Sequence, residues 1–162
     1  MMASTRQLIE QFYSAFQKGD FTSMQACYHP NIEFSDEVFP LLRGTQASAM
    51  WHMLVAEGQD AGLKITFDDI YVDETRGICH WEAVYKFSLT GRKVHNRIRA
   101  TFWMKDGLII RHVDHFNFWK WAQMAFGIKG FLIGWTPFFR RKVQQGIAAR
   151  LAKFIQGHPE YQ

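Results

Sequence analysis

A histidine and an aspartate stand two residues apart in LIIRHVDHFNF, residues 108–118, at positions where core side chains belong. Alternation along a strand puts Leu108, Ile110, His112, Asp114 and Phe116 on one face. That face begins and ends apolar, so both polar residues are expected to point inward. A second carboxylate, Asp36, shares the parity of Ile32 and Phe34 in the short run 31–36. Burial against apolar walls disfavours the charged form of a carboxyl and raises its pKa. A carboxyl poised near neutral pH can move protons as a general acid or base. His112 lies roughly 6–7 Å along the strand from Asp114, close enough to pair with it or with a bound molecule. Asn96 falls on an apolar face and offers a neutral donor, while Tyr13, Trp51, Trp81 and Tyr85 would form aromatic walls.

Each of these residues also has a plainer reading. Asp114 can belong to a structural ion pair with Arg97, Arg99 or a histidine. Asp36 sits at a strand end, where a loop carboxylate capping a turn with Glu37 is a sufficient account. His112 can be a hydrogen-bonded core histidine, and Trp51, Trp81 and Tyr85 can be packing that also shapes a pocket. His115 and Asn117 fall on the opposite face and read as structural. Asp69 has the inward parity and is read as structural. The seven histidines converge on no ligand set, so neither a metal nor another cofactor is expected. No glycine-rich phosphate loop or nucleophile elbow occurs.

The 162 residues suffice for one domain with a sizeable core. Hydrophobic residues make up 48% and aromatics 16%, which excludes a disordered chain and can line an apolar pocket. A net charge of +4 is too mild to argue nucleic-acid binding. Cys27 and Cys79 match no metal spacing and read as buried free thiols of a reducing compartment. The polar start, MMASTRQ, and the lack of a long apolar run give no sign of secretion or insertion, and a cytoplasmic location is expected.

The elements that must position these residues are helices first, then long strands. Ser4-Thr5-Arg6-Gln7 fits a capping box opening a helix that Gly19 ends. Asp20 caps a short helix over 21–27, and His29-Pro30-Asn31 is expected to break the chain before the strand 31–36. Thr45 is expected to cap a third helix running to about Glu57. Strands are expected over 63–72, 77–89, 94–104 and 108–118, with turns at Thr90-Gly91-Arg92 and Lys105-Asp106-Gly107. Their in-and-out alternation predicts an α+β fold, helices packed on one face of a curved antiparallel sheet. After Phe118 comes an aromatic run interrupted by Gly127, Gly130, Gly134 and Pro137, then a basic amphipathic helix from about Pro137.

The capped first helix ending in Gly-Asp, then CYHPNIEFSD, then DGLIIRHVDHFNF, together resemble the nuclear transport factor 2-like superfamily over residues 5–118. The resemblance is to its SnoaL-like group, which includes ketosteroid isomerase and limonene-epoxide hydrolase. It implies a cone-shaped curved antiparallel sheet wrapped around the N-terminal helices, with an apolar pocket at the open end. Residues 1–118 would be this domain and 119–162 a C-terminal helical extension packed on it. Asp36 matches the proton-shuttling carboxylate of the isomerases. Asp114 matches the carboxylate of the epoxide hydrolases and cyclases. Other family residues are replaced: Phe12 stands at the isomerase tyrosine position with Tyr13 beside it, Arg99 or Ala100 at the oxyanion-hole acid, and Ala83-Val84-Tyr85 at the hydrolase Arg-x-Asp.

The resemblance implies a cofactor-independent isomerase, cyclase or hydrolase acting on a small apolar substrate. Asp114 would be the main acid/base, assisted by Asp36 or His112. The alternatives are a non-catalytic protein binding a small apolar ligand, or a structural dimer. Superfamily members usually pair their sheets, so a homodimer is expected through His95, Arg97, Arg99, Thr101 and Trp103. For the tail, a lid over the pocket or interface packing ranks above contact with a membrane surface.

Overall fold

Ser4 opens α1 (Thr5–Lys18) with a complete capping box: its side chain accepts from the Gln7 amide, and the Gln7 side chain accepts from the Ser4 amide. A computed structural model describes residues 4–74 and 76–162 of the chain. The start of the MMASTRQ segment lies outside the described residues. Leu8, Ile9, Phe12, Tyr13, Ala15 and Phe16 form one buried stripe along α1. Gly19 ends the helix in the left-handed region, at φ 69°, where a side chain would be strained. Asp20 caps α2 (Phe21–Ala26) through the Ser23 amide.

Six strands make one sheet in the order β2-β1-β6-β5-β4-β3. They are β1 (Tyr28–Ser35), β2 (Leu42–Arg43), β3 (Lys64–Val72), β4 (Arg76–Lys86), β5 (Lys93–Lys105) and β6 (Leu108–His115). The long α3 (Thr45–Ala61) lies between β2 and β3 in sequence. The sheet is curved and unclosed, with α1 and α3 filling its concave side, which is the cone arrangement. Strand β5 shows the pleat most plainly: Val94, Asn96, Ile98, Ala100 and Phe102 are buried, while His95, Arg97 and Arg99 are exposed. Glu82 of β4 bridges His95 and Arg97 on the outer face.

Four features depart from the sequence reading. The sheet is not wholly antiparallel, because β1 pairs parallel with β6. His29-Pro30-Asn31 does not break the chain but lies within β1, exposed or half-buried, where a missing proline amide is tolerated. Thr45 is the first residue of α3, not its cap; Gly44 holds the cap position without a side-chain bond, and the helix continues to Ala61. The inward phase of β6 shifts at its start. Ile109 is buried where Leu108 and Ile110 were expected, because β5 and β6 slip register between Trp103 and Met104. A bulge adds a residue on one strand and so exchanges its faces. Beyond it His112 and Asp114 are inward, as their parity requires.

The C-terminal residues form α4 (Phe118–Phe126), α5 (Ile128–Ile133) and α6 (Pro137–Gln156), then a 3-10 turn at Pro159–Tyr161. Asn117 caps α4 by accepting from the Lys120 amide, so the sheet strand turns directly into the helix. Helix α4 lies over β5, with the Trp121 indole donating to the Tyr85 hydroxyl at 2.9 Å. Helix α6 returns along α3, tied by Arg150 to Glu57 at 2.9 Å, and the Gln25 amide donates to the Tyr161 hydroxyl at 2.7 Å. Gly130 sets α5 in backbone contact with α4: a Cβ there would stand 1.9 Å from the Ala122 carbonyl oxygen. Gly130→Ala must push the two helices apart, and overpacking of this kind costs about 1–3 kcal/mol. A lowered urea midpoint with an unchanged slope is the expected result, and an unchanged midpoint would contradict this packing.

Candidate functional site

His112 is fully buried and Asp114 nearly so, side by side on the inner face of β6. His112 Nε2 and Asp114 Oδ1 are 3.0 Å apart. His112 Nδ1 is 2.7 Å from the Tyr28 hydroxyl. The Trp51 indole donates to that hydroxyl at 2.7 Å, and the Trp81 indole donates to Asp114 Oδ1 at 3.3 Å. Counting donors assigns the histidine tautomer. The Tyr28 oxygen accepts from Trp51, so its own hydrogen goes to His112 Nδ1, and Nε2–H is left to donate to the Asp114 carboxylate. Every polar atom of this chain except Asp114 Oδ2 then has a partner. Of the structural partners expected for Asp114, the one present is a histidine; Arg97 and Arg99 are exposed on the other face.

Tyr28 is a member of this chain that sequence reading passed over. Its parity with Ile32, Phe34 and Asp36 was visible, but it falls in the YHPN segment read as a chain break. Burial and the Asp114 charge hold its phenol well above the ordinary value, against the Trp51 hydrogen bond. It therefore stays protonated and donates.

Asp36 follows the last residue of β1. The parallel register matches Phe34 with His112 and Ser35 with Val113, so one further step sets Asp36 beside Asp114. Asp36 Oδ1 accepts from the amides of Val38 at 2.7 Å and Phe39 at 2.6 Å, closing a tight turn. The turn-capping role foreseen for Asp36 is present. It does not exclude a second one, because Oδ2 accepts no hydrogen bond among the described residues. Burial pushes the Asp36 carboxyl up to about 7; the two amides oppose this, and the charges of Asp114 and Glu37 add to it. The side chain is half-buried by surface accessibility, yet burial is the largest cause of the shift. The two observations agree if the carboxyl is enclosed by protein and opens to solvent on one side.

Tyr13 and Trp51 are fully buried among rings: Tyr13 stacks on Phe67, and Trp51 stacks on His112 at 17° and meets Phe12, Phe16 and Phe34 edge-on. Trp81 is buried and bonded to Asp114. These three, read as pocket walls, lie within the aromatic core. The Tyr13 hydroxyl is buried without a hydrogen-bond partner, and burial together with the Asp114 charge holds it far above its ordinary pKa. Tyr85 is half-buried, and burial and the charge of Asp36 raise its phenol. It belongs with Asp36 and Trp121 at the end of the cone. Asn96 is buried opposite Ala83, and its amide makes no hydrogen bond with the described residues. Burial also raises the Cys27 thiol to about 11 and the Cys79 thiol to about 12, which disfavours the thiolate.

A cleft of about 530 Å³ opens nearby, lined by Glu37, His115, Phe118, Trp119, Trp135 and Arg140 among others. It contains the chain neighbours of Asp36 and Asp114 rather than the carboxylates themselves. Glu37 there joins His115 at 2.5 Å and Arg140 at 3.0 Å, and its carbonyl accepts from Gln144 at 3.2 Å. The C-terminal helices thus close over this end of the cone. Among the described residues two groups could offer three ligand atoms to a metal, His52 with His158 and Glu160, and Asp68 with Asp69 and His80. Neither includes Asp36, His112 or Asp114. No helix among the described residues is long and apolar enough to cross a membrane.

A SnoaL-like domain model matches residues 9–112, from the first helix to the histidine of the buried chain. The chain belongs to the SnoaL-like family. No curated protein matches the sequence. Solved structures of the same fold include a candidate polyketide cyclase from Xanthomonas campestris, 20% identical, covering 74% of this chain and 95% of its own, with a TM-score of 0.60. An LEH-like epoxide hydrolase from M. tuberculosis is 20% identical over 79% of this chain and 89% of its own, at 0.57. An NTF2-like protein of unknown function from Burkholderia pseudomallei is 13% identical over 77% and 99%, at 0.64. At these identities the likeness is one of fold. That fold is shared with the NTF2-like protein and with the other two structures.

The Asp36 shift sets a pH dependence of stability. Its folded-state pKa lies above the ordinary 3.8, so the folded chain binds the extra proton between about pH 4 and pH 7. Stability from this group is greatest below pH 4 and is lost as pH rises through 7. Asp36→Asn keeps a carbonyl to accept from Val38 and Phe39 and removes that loss. The variant is expected to be about 1–2 kcal/mol more stable than wild type at pH 8 and equal to it at pH 4, by urea denaturation. A difference independent of pH would contradict the raised pKa.

Proposed function

We propose that this SnoaL-like protein is a cofactor-independent acid/base enzyme, and that Asp36 is its proton-transferring group. One observation carries the reading: the Asp36 carboxyl is held near neutrality beside a second carboxylate, with one oxygen anchored on two amides and the other unengaged. A group of pKa about 7 is populated in both forms at physiological pH and can take and return a proton. Asp114 is the positioning partner in this reading. Its charge adds to the burial that lifts Asp36, and His112 and Trp81 hold it in place. This reverses the order of the two carboxylates expected from sequence. His112 acts through Asp114, because both its nitrogens are engaged.

The reaction is proton transfer at a carbon next to a carbonyl. Asp36 removes the proton to leave an enolate, and the protonated carboxyl returns it at the same or another position. Isomerisation and ring closure both pass through such a step, and the candidate cyclases among the structural neighbours fit it. The walls available at this end of the cone are apolar or neutral: Tyr85, Trp121, Phe118 and the amide of Asn96. They favour a small apolar carbonyl compound. The raised phenol of Tyr85 can donate to its oxygen. An aryl 1,3-diketone in deuterium oxide is a direct probe, since exchange at the carbon between the carbonyls reports the abstraction step alone. Wild type is expected to accelerate it, with a rate that rises as Asp36 ionises through pH 7 and then levels. Asp36→Asn should slow it about 100-fold or more. Equal rates for the two proteins would remove Asp36 from the chemistry.

We also propose a homodimer through the outer face of β5, where His95, Arg97 and Arg99 are exposed and Arg111 stacks over Trp103 at 4.9 Å. Glu82, bonded to His95 and Arg97, gives this face both signs of charge, which a two-fold contact can match. Sedimentation equilibrium should give twice the chain mass, and Trp103→Glu should halve it; a monomeric wild type at micromolar concentration is the contrary result.

A further inference from the structure

Helix α5 and the residues that follow it leave large apolar side chains in solvent. Ile128, Phe131, Leu132, Ile133, Trp135 and Phe138 are each 44–74% exposed. They are held there by construction. Gly130 sets α5 against the Ala122 backbone of α4 and Gly134, just after α5, lies against the Ala122 side chain, so no interior lies beneath the remaining side chains. The group is continuous. The Trp119 ring stacks on Phe131 and its indole donates to the Phe131 carbonyl at 3.0 Å; the Trp135 indole donates to the Leu132 carbonyl at 3.0 Å. Contiguous exposed apolar groups of this size mark a contact surface rather than ordinary surface scatter.

The charges around it have one sign. Between residues 116 and 159 the chain holds seven lysines and arginines and no aspartate or glutamate. Arg140 and Arg150 reach carboxylates elsewhere in the chain, Glu37 and Glu57. Lys120, Lys129, Arg141 and Lys142 are exposed and have no ion-pair partner among the described residues. The Lys142 ammonium lies 5.7 Å from the centre of the exposed Phe138 ring, so cation and apolar group share one edge.

We propose that this face docks on an anionic lipid surface. Apolar side chains with tryptophans among them, rimmed by unpaired cations, match a headgroup boundary: rings and aliphatic groups enter the acyl edge and the cations meet phosphates. The same rim argues against a second copy of the chain. A two-fold contact would bring cations onto cations with no carboxylate of the patch to answer them. The surface is not the face of α6 that its amphipathic sequence pattern singles out. Val143 and Ile147 of that helix are half-buried against the core, and Leu151 is fully buried. The cleft lined by Trp119 and Trp135 opens beside the docking face. The inference stands apart from the acid/base reading and does not need it.

Co-sedimentation of the full chain with vesicles tests it. Phosphatidylcholine alone is compared with phosphatidylcholine mixed with phosphatidylglycerol. Wild type is expected to sediment with the mixed vesicles, and less so as salt shortens the screening length from about 10 Å at 0.1 M to about 3 Å at 1 M. Phe131→Asp with Leu132→Asp should lower partitioning about 10-fold or more. Arg141→Gln with Lys142→Gln should lower it about fivefold per charge at low salt. All four substitutions lie at exposed positions, and an unchanged near-ultraviolet circular dichroism spectrum verifies the fold. Absence of wild-type binding to the mixed vesicles overturns the proposal, as does equal binding by the Phe131 and Leu132 variant. A self-associated wild type that this variant dissociates, with no vesicle binding, would assign the face to a second copy instead.

Discussion

A carboxylate cannot sit in an aromatic interior without donors, and the burial of Asp114 imposes that condition on much of the fold. Its donors are His112 from its own strand and Trp81 from two strands away. His112 can donate from Nε2 only if Nδ1 accepts, which requires the Tyr28 hydroxyl on β1. Tyr28 is oriented in turn by the Trp51 indole on α3. The hydrogen-bonded chain therefore joins β1, β4, β6 and α3 across the cone. An unpaired buried donor or acceptor costs about 1–3 kcal/mol. Displacing any one of these elements would leave at least one such group unpaired. The rings of Phe12, Phe34 and Phe102 pack edge-on or tilted around the imidazole and exclude competing water.

The parallel pairing of β1 with β6 brings a second carboxylate to this structural chain. It sets Asp36 next to Asp114, whose charge adds to the burial that raises the Asp36 carboxyl. Asp114 has strong donors, while Asp36 has two backbone amides and more burial than they offset. The difference in environment separates the two carboxylates: Asp114 is held by hydrogen bonds, and burial raises the Asp36 carboxyl. The C-terminal helices bound the same end of the cone. Trp121 bonds Tyr85, Gln144 and Arg140 hold Glu37, and Phe118 and Phe126 pack with Phe139. The tail thus closes one side of the site and presents its remaining apolar surface outward.

Much of this was legible in the residues. The capping box at Ser4, the left-handed stop at Gly19, the turn at Lys105-Asp106-Gly107 and the alternation of β4 and β5 depend on local rules, and the structure follows them. The inward parity of Asp36, Asn96, His112 and Asp114 was legible for the same reason. Tyr28 was missed because Pro30 reads as a break, and only an exposed position in β1 makes it harmless there. The phase of β6 before His112 was misread because a bulge depends on how two strands pair, which neither strand's own pattern contains. The exposure of the α5 side chains was not legible, because an aromatic run between glycines fits a lid or an interface equally well. Close contacts of Gly130 and Gly134 with Ala122 of α4 leave those side chains no interior to enter.

The residues alone determined an α+β chain of helices followed by long strands, its membership of the SnoaL-like family, and a short set of polar groups bound for the interior. Those properties come from periodicity, capping and turn chemistry, each set by neighbours within a few positions. Only the tertiary structure decided which of those groups meet. The parallel register places Asp36 beside Asp114. The tautomer of His112 follows from a tyrosine 84 residues away. The proton affinity of Asp36 follows from burial by groups brought from several elements. Desolvation and charge act through space and fall off over a few ångströms, so their strength is settled by packing and not by order in the chain.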